Sequence, residues 1–380
     1  MKLSWFLLMA AAVLACFADN AEVQAADKSQ IKRDEVVLLY PSYARLLPDR
    51  GAWSVAIRGS IFEPETGSLR RGALMAAIRR SLDRSLSPAE IAILDRRLRL
   101  FLVDHERGKT IQLRIGSQTY SVGPSAADGQ FSGRIELPAS AVEKLAAEGS
   151  LPDRWLSLAA VTRPGDNRRF LGRFRLIEPA GLSVISDVDD TIKISRVRDR
   201  KALVANTFLR PFQPVPGMAE LYRGLGADAV FHYLSASPWQ LYEPLADFLR
   251  EGGFPPGTFH LKPFRLTDAS LFDLFGSQEG YKIGVIEELL AAFPGRRFLL
   301  VGDTGEQDPE IYGRVARKHP EQVVGIFLRN VTDEAAGGPR IAAALADVPP
   351  DRCRLFQQPE ELRAAAAEMA KKYSRGSLRP

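Results

Sequence analysis

From residue 182 onward, short apolar runs alternate with amphipathic stretches, and several of the runs end in a residue able to do chemistry. Residues 182–185 lead into Asp187, 229–234 into Ser235, and 298–301 into Gly302-Asp303; residues 258–261 and 323–328 are further short runs. Between them, 239–250 carries Leu241, Leu245, Phe248 and Leu249 on one helical face, and 281–293 carries Ile283, Ile286, Leu289 and Leu290. Residues 216–225 and 309–318 also read as helices. Apolar strands joined by helices bury both faces only as a parallel sheet covered on each side, which predicts an α/β domain. Ligands in such sheets lie beyond the carboxyl ends of the strands, so the polar residues there are the first candidates for function.

Upstream the rhythm differs. Residues 53–57, 110–115, 119–122, 131–137, 155–161 and 170–177 alternate apolar and polar side chains, and 98–103 is a short apolar run. Short strands separated by Gly, Asp and Pro predict a strand-rich, β-sandwich-like domain over residues 36–180. One helical stretch, 73–86, interrupts it, followed by Ser87-Pro88-Ala89-Glu90 as a capping start for a second helix. This region shows no clustered nucleophile, base or metal ligand, so it reads as a binding or positioning module. The catalytic α/β domain is expected over 181–345, with a C-terminal helix and tail over 346–380.

The chemistry sits in Asp187-Val188-Asp189-Asp190-Thr191. A carboxylate at a strand end can attack phosphorus and form an aspartyl-phosphate, splitting one hard displacement into two. The second carboxylate, two residues on, can protonate the leaving oxygen and then activate water. Neighbouring carboxylates repel and call for a cation, and Mg²⁺ prefers hard oxygen ligands and phosphate. Ser235 offers a hydroxyl to a phosphate oxygen, with Ser237 as its rival. Lys282 opens a helix with a neutralising ammonium, a solvated helix lysine being the alternative. Asp303 and Asp308 add acids for the metal, Asp308 also standing where it could cap the helix that begins with Pro309. Asp190 falls off the two-residue period and reads as structural.

Asp-x-Asp-x-Thr, strand-end Ser, Lys and Gly-Asp-x-x-x-x-Asp, in that order, resemble the four motifs of the haloacid dehalogenase-like (HAD) superfamily. Ser186-Asp187-Val188-Asp189-Asp190-Thr191-Ile192-Lys193, Leu234-Ser235-Ala236-Ser237-Pro238-Trp239, Tyr281-Lys282 and Gly302-Asp303-Thr304-Gly305-Glu306-Gln307-Asp308-Pro309 are similar to the phosphatidate phosphatase catalytic domain of the actin-patch-protein type. The resemblance implies a HAD-like parallel sheet. It implies Asp187 as nucleophile and metal ligand, and Asp189 as acid/base with its main-chain carbonyl on Mg²⁺. Ser235, Lys282 and Thr191 would bind phosphate, and Asp303 and Asp308 would complete the metal site. Ala236 departs from the family's Ser-Asn-Ser pattern and removes a substrate-side hydrogen bond.

The expected function is therefore Mg²⁺-dependent phosphomonoester hydrolysis, with phosphatidate as substrate and diacylglycerol as product. The alternatives are a phosphatase of soluble phosphomonoesters or phosphoproteins, and a non-enzymatic envelope-binding protein with a vestigial site. About forty residues separate Thr191 from Ser235, and a similar number separate Ser235 from Lys282, too few for a large cap. In the second insert, Phe254, Phe259, Phe264, Phe272 and Phe275 are candidates to face lipid, core packing being the alternative. The net charge of +5 is spread over the chain without an aromatic-interleaved stripe, which predicts no specific nucleic acid; solvated helix and strand faces account for it, with an anionic membrane surface as the sharper alternative.

Residues 3–14 form an apolar run of export-signal length behind Lys2. Cleavage after Ala25 gives residues 1–25 as signal; a lipobox reading of Val13-Leu14-Ala15-Cys16 gives 1–15, with a lipid anchor on Cys16. Either predicts an exported protein, periplasmic or secreted. With Cys16 removed or lipidated, Cys353 has no partner for a disulfide, so stability must come from core burial.

Overall fold

The computed structural model describes residues 29–64, 69–82, 84–148, 152–264, 279–335 and 337–374. The chain divides into two compact units. One takes the chain up to Glu63 together with Asp104–Ile177; the other takes Pro64–Val103 together with everything from Glu178.

The first unit is built on β1 (Val36–Leu39), β2 (Ser42–Leu47) and β3 (Ala52–Pro64). After β3, the helices α1 (Leu69–Leu82) and α2 (Pro88–Leu98) leave for the second unit. The sheet resumes with β4 (Val103–His105), β5 (Ile111–Ile115), β6 (Gln118–Val122) and β7 (Gln130–Pro138). The helix α3 (Ala139–Ala147) precedes β8 (Trp155–Ala160) and β9 (Leu171–Ile177). Hydrogen bonds join the strands in the order β1-β3-β2-β9-β8-β5-β6, and the 13-residue β3 also pairs with β4 and β7. The predicted alternation is realised: Val55, Ile57, Ile111, Leu113, Phe131, Ile135, Leu156 and Phe174 meet in one apolar cluster.

The second unit centres on a parallel sheet of order β12-β11-β10-β13-β14-β15. Its strands are β10 (Leu182–Ser186), β11 (Val230–Pro238), β12 (Gly257–Lys262), β13 (Arg297–Asp303), β14 (Val323–Arg329) and β15 (Cys353–Phe356). The flanking helices are α4 (Arg200–Phe208), α5 (Met218–Gly224), α6 (Tyr242–Glu251), α7 (Glu279–Ala292), α8 (Asp308–Lys318), α9 (Pro339–Ala344) and α10 (Arg363–Lys372). Every residue of β10 is buried, as a central parallel strand requires.

Three expectations are corrected here. The helical insert does not stay with the strand-rich domain of 36–180, because α2 buries Leu94, Arg97 and Leu98 in the second unit, where Arg97 donates to carbonyls of Asn206, Thr207 and Arg210. Its start is as predicted: Glu90 N donates to Ser87 Oγ at 3.3 Å and Ser87 N to Glu90 Oε2 at 2.9 Å. Residues 98–103 are not a strand; Leu94, Leu98 and Phe101 keep helical spacing, and the chain turns through Arg99–Phe101 before β4. The sheet also continues past residue 345. The edge strand β15 pairs with β14, but its four residues are too few to announce themselves.

Phe254, Phe259 and Phe264 are buried, Phe259 against Tyr233 and Tyr242, so they pack the core and face no lipid. Phe272, Phe275, Cys16 and the export segment lie outside the described residues. Among the described residues no helix is long and apolar enough to cross a membrane.

The entry into β10 is held by Arg296, which is 2 % exposed. It donates to Ser183 Oγ at 2.7 Å, to the carbonyls of Glu178 and Ala180 at 3.0 and 2.7 Å, and to that of Leu182. Arg296→Met keeps the stem and strands those acceptors. The expected cost is about 3 kcal/mol, a fall of roughly 10 °C in Tm by circular dichroism. An unchanged melt would show that these acceptors find other donors.

Candidate active site

Strand register assembles the site. β10 lies between β11 and β13, with Ser186 opposite Tyr233 on one side and Val301 on the other. The residues just beyond, Asp187, Ser235 and Asp303, therefore emerge side by side at the carboxyl edge. Asp187 N donates to Val301 O at 2.8 Å and locks the first of them.

The loop after β10 is organised by Asp190, as its off-period position suggested. Its backbone takes φ 54°, a conformation short polar residues tolerate. Its carboxylate accepts from the amides of Ser195, Arg196 and Val197 at 2.8, 2.8 and 2.7 Å. Arg329 donates to its carbonyl at 2.6 Å.

Three carboxylates converge. Asp187, Asp303 and Asp308, at most 1 % exposed, each place an oxygen within 4.8 Å of the others. Lys282, on α7, is equally buried; its Nζ lies 2.9 Å from Asp187 Oδ1, 2.6 Å from Asp308 Oδ1 and 3.3 Å from Glu306 Oε2. It is not a solvated surface lysine. Thr191 Oγ1 donates to Asp187 Oδ2 at 3.0 Å and to Asp303 Oδ2 at 3.4 Å, bridging two acids. Asp303 Oδ1 accepts from the amides of Gly305 and Glu306 at 2.6 and 3.3 Å.

Asp308 does not cap its helix. It is the first residue of α8, and its other oxygen accepts from Asp303 N at 3.3 Å. Gly302 makes this approach possible: a Cβ there would stand 2.3 Å from Asp308 Oδ2 and 2.7 Å from the ring of Tyr312.

The Asp189 carboxylate points elsewhere. Its Oδ1 is paired with Lys193 Nζ at 2.6 Å and accepts from Ser195 Oγ at 2.6 Å. Its Oδ2 accepts from Ser235 Oγ and Ser237 Oγ, each at 3.1 Å. Ser237 N also donates to Ser235 Oγ at 2.9 Å, so the two rivals for the phosphate role act as a pair. A metal contact from Asp189 is thus left to its main-chain carbonyl. Lys193, Ser195 and Glu306 were not singled out from the sequence. The available signal was Lys193 itself, a lone charge between Ile192 and Ile194 just after the acidic motif.

Electrostatics separate the acids. Burial drives the Asp187 carboxyl well above the usual carboxylate range; Lys282 opposes this, while Asp308, Glu306 and Asp189 add to it. Burial does the same to Asp303, reinforced by Asp308 and Asp187. Burial disfavours charge on Lys282, but the surrounding carboxylates win and hold its pKa well above normal. Burial also pushes Asp189 upward, yet Lys193, Ser195 and Ser235 outweigh it and bring its pKa down to about 2. Three buried hard-oxygen donors compensated by one ammonium match the chemistry of a small dication such as Mg²⁺.

Residues 182–330 match the family model described as "Phosphatidate phosphatase APP1, catalytic domain". This segment is similar to that catalytic-domain family. It spans β10 to β14 and every site residue named so far. A phosphatidate phosphatase, APP1, of Saccharomyces cerevisiae is 36% identical over 159 residues, 40% of this chain and 26% of its own length. An uncharacterised protein of Schizosaccharomyces pombe is 30% identical over 175 residues, 45% of this chain and 28% of its own. The chain thus covers little more than a quarter of the curated relatives it matches.

The raised carboxyls have a consequence for stability. A carboxyl whose folded pKa exceeds its unfolded value contributes stability at low pH and loses it as pH rises through the folded pKa. Near neutral pH, Asp303→Asn should therefore raise Tm of the chelated protein by on the order of 3 °C. The same variant should lose most of the stabilisation conferred by added Mg²⁺, read by thermal shift. A destabilised chelated variant would mean that Asp303 is satisfied as an anion without any added cation.

Proposed function

We propose that the chain is a Mg²⁺-dependent phosphomonoesterase that forms an aspartyl-phosphate on Asp187 and hydrolyses phosphatidate to diacylglycerol and phosphate. The observation that carries the reading is the division between two carboxylates two residues apart. Asp187 is buried among acids beside a lysine, and Asp189 stands apart with hydroxyl and ammonium partners. Carboxyls driven to opposite behaviour by their surroundings are the signature of nucleophile and acid/base pairs.

In this reading an Asp187 oxygen attacks phosphorus and the ester P–O bond breaks. The leaving alkoxide takes a proton from Asp189. Asp189 then removes a proton from water as the oxygen attacks the acyl-phosphate phosphorus, releasing phosphate and restoring Asp187. Asp189 starts ionised, so its proton arrives with the substrate, whose phosphate has a second pKa of about 6. Ser235 and Ser237 turn from Asp189 Oδ2 to the phosphate oxygens, and the anion's arrival raises the proton affinity of Asp189. Lys282 neutralises the nucleophile and the transferring group. Bound by Asp187, Asp303 and Asp308, Mg²⁺ would supply further charge neutralisation at the phosphoryl oxygens.

Phosphatidate as substrate rests on the similarity to the yeast enzyme and on the lack of room for a cap between Thr191 and Ser235, where the chain is taken up by α4, α5 and their loops. The decisive assay is phosphate release from phosphatidate in mixed micelles. Chelation should abolish turnover and Mg²⁺ restore it, and Asp187→Asn should lower kcat by roughly 10⁴-fold or more with folding intact. Turnover that survives either treatment would overturn the mechanism. Soluble phosphomonoesters hydrolysed far faster than phosphatidate would overturn the lipid substrate and leave the phosphatase.

A further inference from the structure

We propose that Lys193 is the positioning residue of Asp189, and that α2, outside the matched catalytic segment, holds Lys193 in place through Phe212. This rests on the reading of Asp189 as the group that moves the leaving-group proton.

Lys193 has almost no conformational choice. It is 1 % exposed, its N donates to Val188 O at 3.0 Å, and its carbonyl accepts from Asp190 N at 2.7 Å. Bridges tie its backbone to Asp189 on one side and Pro214 on the other. The side chain ends on Asp189 Oδ1 and on Ser195 Oγ, and Ser195 in turn donates to the same carboxylate oxygen. The ammonium and the hydroxyl, themselves in contact, close a small clamp around Oδ1.

The two oxygens of Asp189 are thus held differently. Oδ2 is shared with Ser235 and Ser237, the hydroxyls a substrate phosphate would claim. Oδ1 is shared with residues that have no part in phosphate binding. When substrate draws the serines away, only the Lys193–Ser195 clamp still orients the carboxylate, leaving Oδ2 to face the leaving oxygen. Proton transfer needs that oxygen within hydrogen-bond reach, a demand on aim as much as on proton affinity.

A buried ammonium needs more than one partner, and the rest come from outside the motif. Lys193 Nζ lies 4.7 Å from the centroid of the Phe212 ring, and the guanidinium carbon of Arg97 lies 3.8 Å from the same centroid. Phe248 meets that ring edge-on at 6.1 Å. Arg97, 3 % exposed, also donates to the carbonyls of Asn206, Thr207 and Arg210, holding the segment that carries Phe212. Arg97 belongs to α2, far upstream of residue 182, where the family match begins. The chain Arg97, Phe212, Lys193, Asp189 therefore makes the insert a working part of this catalytic unit.

The test uses the full chain and two monoesters: phosphatidate in mixed micelles, whose alkoxide needs a proton to leave, and 4-nitrophenyl phosphate, whose phenolate does not. Lys193→Met should slow the pre-steady-state release of diacylglycerol from phosphatidate by about 100-fold while the burst release of 4-nitrophenolate slows less than about fivefold, the later hydrolysis of the aspartyl-phosphate being common to both esters. Phe212→Leu and Arg97→Met should show the same selective loss at about tenfold, and the exposed Arg96→Ala should show none. Cooperative melting checks each variant; should Lys193→Met fail to fold, Phe212→Leu decides. Equal losses on both esters would reduce Lys193 to a structural role and overturn the proposal alone. Equal losses confined to Arg97→Met and Phe212→Leu would overturn the part assigned to α2. A wild type that hydrolyses neither ester would remove the phosphatase reading and this proposal with it.

Discussion

The repulsion among Asp187, Asp303 and Asp308 is the constraint around which the second unit is arranged. Three carboxylates with oxygens within 4.8 Å of one another, at near-zero exposure, persist only where countercharge and donors are supplied. Lys282 supplies the charge from α7. Thr191 supplies a hydroxyl, and the Gly305 and Glu306 amides supply donors to Asp303. Gly302 supplies the space that lets Asp308 approach at all. Each device is dictated by the acids, and none would be needed in an apolar core. Gathering these acids in a buried site costs stability locally, and the compensating charge and donors come from its neighbours.

Only a parallel sheet brings these groups together at low cost. Each strand delivers its last residues to the same edge, so three strands separated by dozens of residues in sequence place their ends within one hydrogen-bond network. The two-residue period of extended chain then does further work. Beyond the strand end Asp187 meets Lys282 and Asp189 meets Lys193, while Asp190, off the two-residue period, turns back to bind three loop amides. The same short stretch thus holds two carboxylates with opposite surroundings and the residue that folds the loop after them.

Much of this was legible in the residues. Apolar runs ending in acids required buried strands with functional ends, and the capping box at Ser87 and Glu90 was written in their spacing. The strand-rich region alternated as a half-buried sheet must. Less legible was anything decided by which surface a helix covers. The apolar face of α2 fits any apolar partner, and nothing local says that Arg97 will find its acceptors more than a hundred residues away. The edge strand β15 escaped notice because one buried position in four residues does not make a period. The partnership of Lys193 with Asp189 depends on a turn that brings Nζ back over the strand end, which spacing alone does not specify.

The sequence by itself determined the alternating strand and helix plan of residues from 182 onward, the strand-rich character upstream, and the identity of the acids at the strand ends. Periodicity and residue type act over a few neighbours, and these features are local. Tertiary structure decided which carboxylates share a cation-sized space and which one turns aside. It also decided that Asp308 faces Lys282 instead of capping α8, that Phe254, Phe259 and Phe264 are core, and that the insert joins the second unit. Those outcomes depend on distances between groups remote in sequence, where burial and charge are settled jointly by the whole packed unit.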